Sequence, residues 1–277
     1  MVPRLSEAEY RLFRHLIKRY AGISYSRQNI RTLQRKLAAR LTHLGLESYL
    51  SYYHYLRHDR RGKDELRRLI NTITVDQTAF FRHPKQFELL ADIMLPQMAR
   101  RKKTAKKLRL WSAGCARGQE AYSIAMLVSE MFGQDESWDI KILASDIDTD
   151  ALSFARRGVY SSACVEQVPP EYMEKYFIRG TGKGAGRYAA VQALKNNLLF
   201  RRLNFTQRSF PFKSPVDIIF CRNVLIYFHP ELKKKLISNF FHVLERDGFL
   251  CLGSSESLIG LDDRFALVGH STYQKTG

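Results

Sequence analysis

The stretch ILASDIDTDALSFARRG, residues 142–158, decides the fold because it joins an apolar run to a helical pattern through three aspartates. A short, continuous apolar run of this kind is typical of a strand buried on both faces of a parallel sheet. The following TDALSFARRG has the spacing of an amphipathic helix that ends at Gly158. The stretch therefore predicts a strand-to-helix unit with Asp146, Asp148 and Asp150 at the carboxyl end of the strand.

The same alternation continues on both sides of this unit. LRLWSAG, VDIIFCRN and FLCLGSS are further apolar runs, and helical patterns such as QEAYSIAMLVSEMF lie between them. Strands alternating with helices predict an α/β fold with a doubly wound, Rossmann-like parallel sheet over residues 108–277. The glycine-rich YFIRGTGKGAGRYAAVQALKNNLLF interrupts the alternation, and we predict a small antiparallel β insertion at about residues 178–200.

The first part of the chain predicts helices only. SEAEYRLFRHLIKRYAG begins with a capping-box spacing and ends at a glycine, RQNIRTLQRKLAARLTHLG repeats the helical pattern, and two shorter helical patterns follow. Residues 1–75 therefore form a predicted helical domain, and residues 76–107 a linker that contains a further helix. In the second helix four arginines lie away from the apolar stripe, which predicts a basic face: Arg27, Arg31, Arg35 and Arg40.

Composition narrows the class of protein. The net charge is +18, and residues 1–110 hold 25 Lys and Arg against 9 Asp and Glu, so the basic character belongs to the front of the chain. Such a surface attracts nucleic acid, anionic lipid or an acidic protein. There is no apolar run of the ~18 residues that a membrane span needs, and the first residues lack a secretory signal, so we expect a cytoplasmic protein with reduced cysteines.

Ligands of open parallel sheets bind at the carboxyl ends of the strands, where this sequence places its unusual residues. The run LRLWSA leads into Gly114, where the lack of a side chain allows a ligand to approach the backbone. Asp146 is positioned to accept hydrogen bonds from both hydroxyls of a ribose and would repel a 2′-phosphate. For Asp148 and Asp150 the sequence favours a simpler role as helix N-cap and first-turn acid.

The run DIIFCRN is followed at once by VLIYF, which makes a poor turn and a better ligand wall. Arg222, Asn223 and Tyr227 lie in this stretch. A phosphate-binding lysine loop and a metal-ligand pattern are both absent from the sequence. A nucleoside cofactor without phosphates is therefore indicated, and the chemistry points to S-adenosylmethionine without a metal.

Six motifs occur in an order that resembles one family, the chemotaxis receptor glutamate methyltransferases, or CheR family. They are TAFFR (78–82), WSAGCARGQEAYSIAM (111–126), LASDIDTDALSFARRGVY (143–160), YFIRGTG (176–182), FCRNVLIYF (220–228) and LGSSESL (252–258). The resemblance covers nearly the whole chain. It implies transfer of a methyl group from S-adenosylmethionine to glutamate side chains of chemoreceptors, with S-adenosylhomocysteine as the product.

The resemblance also implies roles for individual residues. The cofactor contacts that it implies are Asp76, Thr78, Arg82, Gly114, Glu120, Asp146, Asn204, Phe205, Arg222 and Asn223, and the residues at the reacting centre are Arg82 and Tyr227. The family usually has Asn where Asp76 stands, and Ser-Thr-Gly-Glu-Glu-Pro where this chain has residues 116–121. Within that loop Glu120 is retained.

The resemblance implies the cytoplasmic helical domain of chemoreceptors as partner. The basic face of the second helix is our candidate for contact with it, and the β insertion is a candidate site for the tail peptide of the receptor. The charge of residues 1–110 leaves open a nucleic-acid methyltransferase, although the sequence lacks the Asn/Asp-Pro-Pro-Tyr motif after the fourth strand. A non-enzymatic adaptor is the other alternative, against which the complete set of site motifs argues.

Overall fold

The computed structural model describes residues 4–276, apart from the side chain of Arg27. These residues divide into two compact units. The helical unit comprises the described residues up to Val75, with Asn204–Arg208 and Tyr227–Lys233. The sheet unit comprises Asp76–Leu203, Ser209–Ile226 and the described residues from Lys234 onward. Residues 76–107, which were predicted to form a linker, thus belong to the sheet unit. Asn204–Arg208 and Tyr227–Lys233, which were predicted to lie in the methyltransferase domain, belong to the helical unit.

Of the four long helices in the described part of the helical unit, the first and the third begin at a serine whose side chain caps the helix. The four helices are α1 (Glu7–Ala21), α2 (Ile30–Leu44), α3 (Tyr49–His58) and α4 (Gly62–Ile73). The predicted capping box of α1 is confirmed, since the Ser6 side chain accepts from the Glu9 N–H and the Glu9 carboxylate accepts from the Ser6 N–H. Gly22 ends α1 with a φ of 74°, a left-handed conformation that favours glycine.

The basic face of α2 has fewer exposed arginines in the structure than the sequence predicts. Arg31 and Arg35 are exposed, whereas Arg40 donates from Nε and Nη2 to the two carboxylate oxygens of Glu65, at 2.8 and 2.7 Å. Glu65 is buried and also accepts from the Tyr52 hydroxyl at 2.8 Å. A buried carboxylate needs a charged partner, and this requirement turns Arg40 inward. The prediction was wrong for Arg40, and the side chain of Arg27 lies outside the described residues.

The sheet unit alternates helices and strands. In chain order its elements are α5 (Pro84–Leu89), a π-helical turn (Leu90–Met94), α6 (Leu95–Arg101), β1 (Lys107–Ala113), α7 (Gln119–Phe132), β2 (Asp139–Asp146), α8 (Thr149–Arg157), β3 (Val159–Ser161), α9 (Ser162–Val165), α10 (Pro170–Tyr176), β4 (Phe177–Arg179), β5 (Arg187–Ala190), α11 (Gln192–Asn196), β6 (Leu198–Arg202), β7 (Val216–Cys221), α12 (Pro230–Val243), β8 (Leu244–Leu252), β9 (Phe265–Gly269) and β10 (Thr272–Lys275). The first turn of α12 lies in the helical unit.

Within residues 4–276, seven strands form the main sheet in the order β6-β2-β1-β7-β8-β10-β9. The pairs from β6 to β8 are parallel, and β10 and β9 extend the sheet in antiparallel fashion. The strand order reverses between β1 and β7, so a crevice is expected at the carboxyl ends of β1, β2 and β7. The predicted doubly wound sheet is confirmed, and its apolar runs form the core, with Trp111 of β1 fully buried.

The antiparallel insertion is present but lies earlier in the chain than predicted. It is a sheet in the order β3-β5-β4, between Val159 and Ala190. Residues 198–200, the last ones that the prediction included, lie in β6, which pairs in parallel with β2 of the main sheet. β6 is an edge strand in which only Phe200 is buried, so it lacks the long apolar run that is typical of a central parallel strand.

None of the helices in the described part of the chain is long and apolar enough to cross a membrane.

Candidate functional site

The loop after β1 requires its two glycines. Gly114 has a φ of 86°, and a Cβ there would lie 2.4 Å from Val224 Cγ2. Gly118 has a φ of 90°, and a Cβ there would lie 2.8 Å from the Cβ of Ala155 on α8. Only glycine combines this conformation with so close an approach. The N–H of Gly114 donates to the Ser145 carbonyl at 2.8 Å, which fixes this glycine loop, residues 114–118, beside the end of β2.

Asp146 lies at the last position of β2, as predicted, and is half-buried. Its Oδ2 accepts from the Ala116 N–H of the glycine loop at 2.8 Å, and its Oδ1 accepts from the Asp148 N–H at 2.9 Å. Burial raises the pKa of this carboxyl to about 6, although the backbone donors oppose the shift. A carboxylate has about four acceptor positions, and the backbone N–H groups of Ala116 and Asp148, with a smaller contribution from that of Ile147, leave at least one of them for a ligand.

The neighbouring acids act on the helix, as the sequence favoured. Asp148 is the N-cap of α8, and its Oδ1 accepts from the N–H groups of Asp150 and Ala151 at 2.8 and 3.0 Å. Asp150 lies in the first turn, near the positive end of the helix dipole. The three aspartates of the opening stretch therefore have separate roles, and only Asp146 keeps its carboxylate directed at the glycine loop.

Glu120, in the first turn of α7, takes part in a buried ion pair. Its Oε2 lies 2.8 Å from Arg222 Nε, and its Oε1 accepts from the Ser112 hydroxyl at 2.7 Å. The Arg222 side chain is only 2% exposed, and its Nη1 donates to the Arg82 carbonyl at 2.6 Å and to Gln86 Oε1 at 2.9 Å. Arg222, predicted as part of the ligand wall, thus connects the end of β7 to α7 and to the segment before α5.

That segment, residues 76–83, carries three of the predicted cofactor contacts. The Asp76 carboxylate accepts from Arg117 Nε of the glycine loop at 2.6 Å. Thr78 is half-buried, and Arg82 Nη1 donates to the Gln77 carbonyl at 3.3 Å. Hydrogen bonds thus join this segment both to the glycine loop and, through its Arg82 carbonyl, to the Arg222–Glu120 pair.

Glu256, in the LGSSESL motif, has a role that the sequence did not predict. This buried carboxylate accepts from three backbone N–H groups: Gly253 at 2.6 Å, Asn223 at 2.9 Å and Ile226 at 3.2 Å. It thereby fixes the turn after β7, in which Asn223 has a φ of 58°. The signal that could have revealed it is an acid three residues after the glycine that ends a buried strand.

The remaining predicted residues belong to the helical unit. Asn204 Nδ2 donates to the Tyr20 carbonyl at 2.6 Å, and the buried Phe205 packs edge-on against Phe228. The Tyr227 carbonyl accepts from the Ser24 N–H at 2.8 Å. The last turn of α1 therefore accepts from the Asn204 side chain, and Ser24, in the turn after α1, binds the backbone of Tyr227.

The sheet unit offers acceptors for a ligand that carries hydroxyl and ammonium groups. Besides Asp146, the buried Oε1 of Gln119 has no hydrogen-bond partner among the described residues. Gln119 is 3% exposed and lies one helical turn before Ser123, whose hydroxyl accepts from the Phe81 N–H at 3.0 Å. Residues i and i+4 share a helix face, so the Gln119 side chain lies on the face packed against residues 76–83. These residues fit an adenosine-containing amino acid.

Among the described residues, no group of three or more His, Cys, Asp and Glu side chains could hold a metal ion.

Two family models match the chain. The model described as "CheR methyltransferase, all-alpha domain" matches residues 8–74, and the model described as "CheR methyltransferase, SAM binding domain" matches residues 76–274.

Curated relatives match along nearly the full chain. A "Chemotaxis protein methyltransferase" of Escherichia coli is 36% identical over 270 residues, which is 97% of this chain and 91% of the relative. A "Chemotaxis protein methyltransferase 2" of Pseudomonas aeruginosa is 35% identical over 96% of this chain and 92% of the relative. Among solved structures, magnesium protoporphyrin IX methyltransferase from Synechocystis with bound SAM covers 78% of this chain and 74% of that protein, at 12% identity and a TM-score of 0.33.

Proposed function

The chain belongs to the CheR methyltransferase family, and from this premise we propose that it transfers the methyl group of S-adenosylmethionine to glutamate carboxylates of chemoreceptors. The observation that carries the proposal is the end of β2, where Asp146 accepts from the glycine loop and keeps acceptor positions for the ribose hydroxyls. In the same unit, Gln119 Oε1 is a buried acceptor suited to the ammonium group of the methionine moiety. Glu120 is the alternative acceptor for that group, although Arg222 and Ser112 already bind it.

The reaction needs little acid–base chemistry from the protein. Bound S-adenosylmethionine supplies an electrophilic methyl group on a sulfonium. A glutamate side chain has an unperturbed pKa of about 4.3, so at neutral pH the carboxylate is already ionised and needs no general base. The task left to the protein is to align the reactants and exclude water, which can contribute roughly 7–11 kcal/mol.

We assign to Arg82 and Tyr227 the orientation of the incoming carboxylate. The backbone of each is already held in its own unit: the Arg82 carbonyl accepts from Arg222, and the Tyr227 carbonyl accepts from Ser24. Fixed backbones limit the entropy that is lost when the side chains orient a substrate. Thr78, Gly114, Asn204, Phe205 and Asn223 stay proposed cofactor contacts, as the resemblance implies.

Two surfaces are candidates for the receptor. Arg31 and Arg35 on α2 are exposed and would attract an acidic helical bundle, with binding that weakens as salt rises. The small sheet ends at the edge strand β4, where Ile178 is 62% exposed, and a receptor tail peptide could add a strand there.

The test is methyl transfer from labelled S-adenosylmethionine to a purified cytoplasmic receptor fragment, with structured RNA as a second substrate. Carboxyl methyl esters release methanol in alkali, whereas methylated bases do not. We expect alkali-labile label on the receptor alone. Stable label on RNA would instead establish the nucleic-acid methyltransferase that the basic helical unit left open, and no transfer at all would favour the adaptor.

The same assay tests the role of Tyr227. In Tyr227→Phe we expect kcat to fall by about three- to tenfold, the value of one hydrogen bond, because the orienting hydroxyl is lost. The Kd for S-adenosylhomocysteine should stay within about twofold of wild type. An equal loss of affinity and turnover would place Tyr227 among the cofactor contacts instead.

A further inference from the structure

Residues 76–83 form an irregular segment before α5, and contacts within the sheet unit hold its second half firmly. The Phe80 side chain is fully buried, with its ring 4.9 Å from that of Tyr160 and 5.6 Å from that of Phe177. The Phe81 N–H donates to Ser123, and the Arg82 carbonyl accepts from Arg222. The backbone of this half is therefore fixed by packing and by buried hydrogen bonds.

In the first half of the segment, an ion pair joins Asp76 to Arg117 of the glycine loop. Asp76 Oδ2 lies 2.6 Å from Arg117 Nε. Arg117 is itself held on two sides, because its guanidinium carbon lies 5.1 Å from the centre of the Phe154 ring and its carbonyl accepts from the Tyr160 hydroxyl at 2.8 Å. A pre-oriented guanidinium loses less entropy when it pairs with a carboxylate.

The position of this ion pair connects two parts of the proposed cofactor site. Asp76 lies two residues before Thr78, and Arg117 follows Ala116, whose N–H donates to Asp146. The pair therefore joins the segment that carries Thr78 and Arg82 to the loop that orients the ribose acceptor. Its carboxylate is bound to Arg117, so Asp76 can act on the cofactor site through Arg117.

We propose that the Asp76–Arg117 ion pair is an electrostatic latch that holds residues 76–83 against the glycine loop and thereby sets the affinity for the cofactor. The inference rests on the proposed function, since it takes the ligand to be S-adenosylmethionine. The two side chains are 37% and 49% exposed, so solvent ions reach the pair. Salt should therefore weaken the latch, because the Debye length falls from about 10 Å at 0.1 M to about 3 Å at 1 M.

The experiment is calorimetric titration of the full chain with S-adenosylhomocysteine at low and high NaCl. This ligand carries one ammonium and one carboxylate at neutral pH, so its own net charge adds little salt dependence. For wild type we expect the Kd to rise by about three- to fivefold between 0.05 and 1 M NaCl, the upper range for an exposed ion pair. For Arg117→Ala we expect the Kd to be raised by the same factor already at 0.05 M NaCl and to change little between 0.05 and 1 M NaCl.

Asp76→Asn and a charge swap separate a latch from a direct contact. Asp76→Asn keeps an acceptor for Arg117 without the charge, so its Kd should lie between those of wild type and Arg117→Ala. The double variant Asp76→Arg/Arg117→Asp should recover at least half of the lost affinity. In kinetics, Arg117→Ala should raise KM for S-adenosylmethionine and leave kcat within about twofold, since the latch sets binding and not chemistry.

Asp135→Asn is the matched control. Lys106 and Asp135 form an ion pair of 2.9 Å with similar exposure, 40% and 46%, at the start of β1 instead of its end. This variant should bind S-adenosylhomocysteine like wild type at both salt concentrations. All variants should melt within about 4 °C of wild type, since the pairs are exposed.

The outcomes distinguish the latch from the function on which it rests. If wild type binds S-adenosylhomocysteine and Arg117→Ala binds it equally at both salt concentrations, the latch is wrong and the proposed function stands. If the charge swap restores nothing while Asp76→Asn loses as much as Arg117→Ala, Asp76 touches the cofactor directly and the latch is again wrong. If wild type shows no binding, the proposed function fails together with the latch.

Discussion

The ends of β2 and β7 occupy equivalent places in the main sheet, yet they use their polar residues in opposite ways. At the end of β2, Asp146 is half-buried, and its described partners are backbone N–H groups. At the end of β7, Arg222 is buried and directs its guanidinium at three protein oxygens. One strand end thus keeps acceptor capacity for a ligand, and the other uses three of its five guanidinium N–H groups on protein oxygens.

The difference separates residues that bind from residues that hold the binding residues in place. A charged group at a strand end is a ligand candidate by position, but what it can bind depends on the hydrogen bonds it already makes. Arg222 and Glu256 each fix backbone from separate parts of the chain, whereas Asp146 fixes only the glycine loop and its own turn. We therefore expect substitutions at β7 to affect stability first and those at β2 to affect ligand affinity first.

The largest expected effect is that of Arg222→Met. It leaves Glu120 buried without its cation, and breaking a buried pair in this way costs about 3–5 kcal/mol. Urea unfolding followed by far-UV circular dichroism measures the change in the free energy of unfolding. The double variant Glu120→Gln/Arg222→Met should recover a large part of the loss, because no charge remains buried. A loss below about 1 kcal/mol in the single variant would contradict the structural role of Arg222.

Asp146→Asn tests the other strand end. The Asn amide keeps one acceptor oxygen, which is neutral, and replaces the other oxygen by a donor. One of the two ribose hydroxyls therefore loses its acceptor, and the other has a neutral acceptor in place of a charged one. At about 1.5–3 kcal/mol for hydrogen bonds to charged groups, S-adenosylhomocysteine should bind about 10- to 100-fold more weakly. At pH 8 the free energy of unfolding should fall by no more than about 1–3 kcal/mol, since one of the two backbone N–H groups loses its acceptor while the half-buried charge is removed. A stability loss as large as that of Arg222→Met would abolish the contrast between the strand ends.

Because the pKa of Asp146 is raised, its contributions to stability and to ligand affinity should depend on pH in opposite directions. The folded-state pKa of about 6 lies above the ordinary value of 3.8, so the neutral carboxyl is favoured by folding. Its contribution to stability is present below pH 4 and is lost as the pH rises through 6. Ligand affinity should change in the opposite direction, falling by up to about tenfold per pH unit below 6 as the acceptor becomes protonated. Calorimetric titrations between pH 5 and 8 should show this slope in wild type and not in Asp146→Asn.

The fold was predictable because its signals are local. The apolar runs and glycine punctuation predict the doubly wound sheet, and Ser6, Glu9 and Gly22 predict the ends of α1. The location of the small sheet was not predictable from pattern alone. Leu198–Arg202 has an apolar run of only three residues, and only its pairing with β2, more than fifty residues earlier, assigns it to the main sheet.

The candidate site was predictable where a residue's role follows from its place along the chain. The position of Asp146 at the end of β2 and the N-cap role of Asp148 follow in this way, whereas the binding role of Asp146 stays a prediction. The roles of Arg222 and Arg40 were not, because each depends on a carboxylate far away in sequence: Glu120 for Arg222 and Glu65 for Arg40. Sequence patterns reveal that a charge is present, but its burial and its partner arise from tertiary packing.

The smallest expected effect is that of Asp148→Ala, and it tests the comparison at the scale of neighbouring residues. Losing the side-chain acceptor at the N-cap of α8 should lower the free energy of unfolding by about 1 kcal/mol. Affinity for S-adenosylhomocysteine should hold, because the Asp148 N–H that donates to Asp146 is a backbone group and survives the substitution. Asp148→Ser, which keeps a capping oxygen, should restore the stability. With the result for Asp146→Asn, this outcome would show that Asp148 contributes to stability and Asp146 to ligand binding, although both lie at the same strand end. If Asp148→Ala lost as much affinity as Asp146→Asn, the N-cap would instead be needed to position the ribose acceptor.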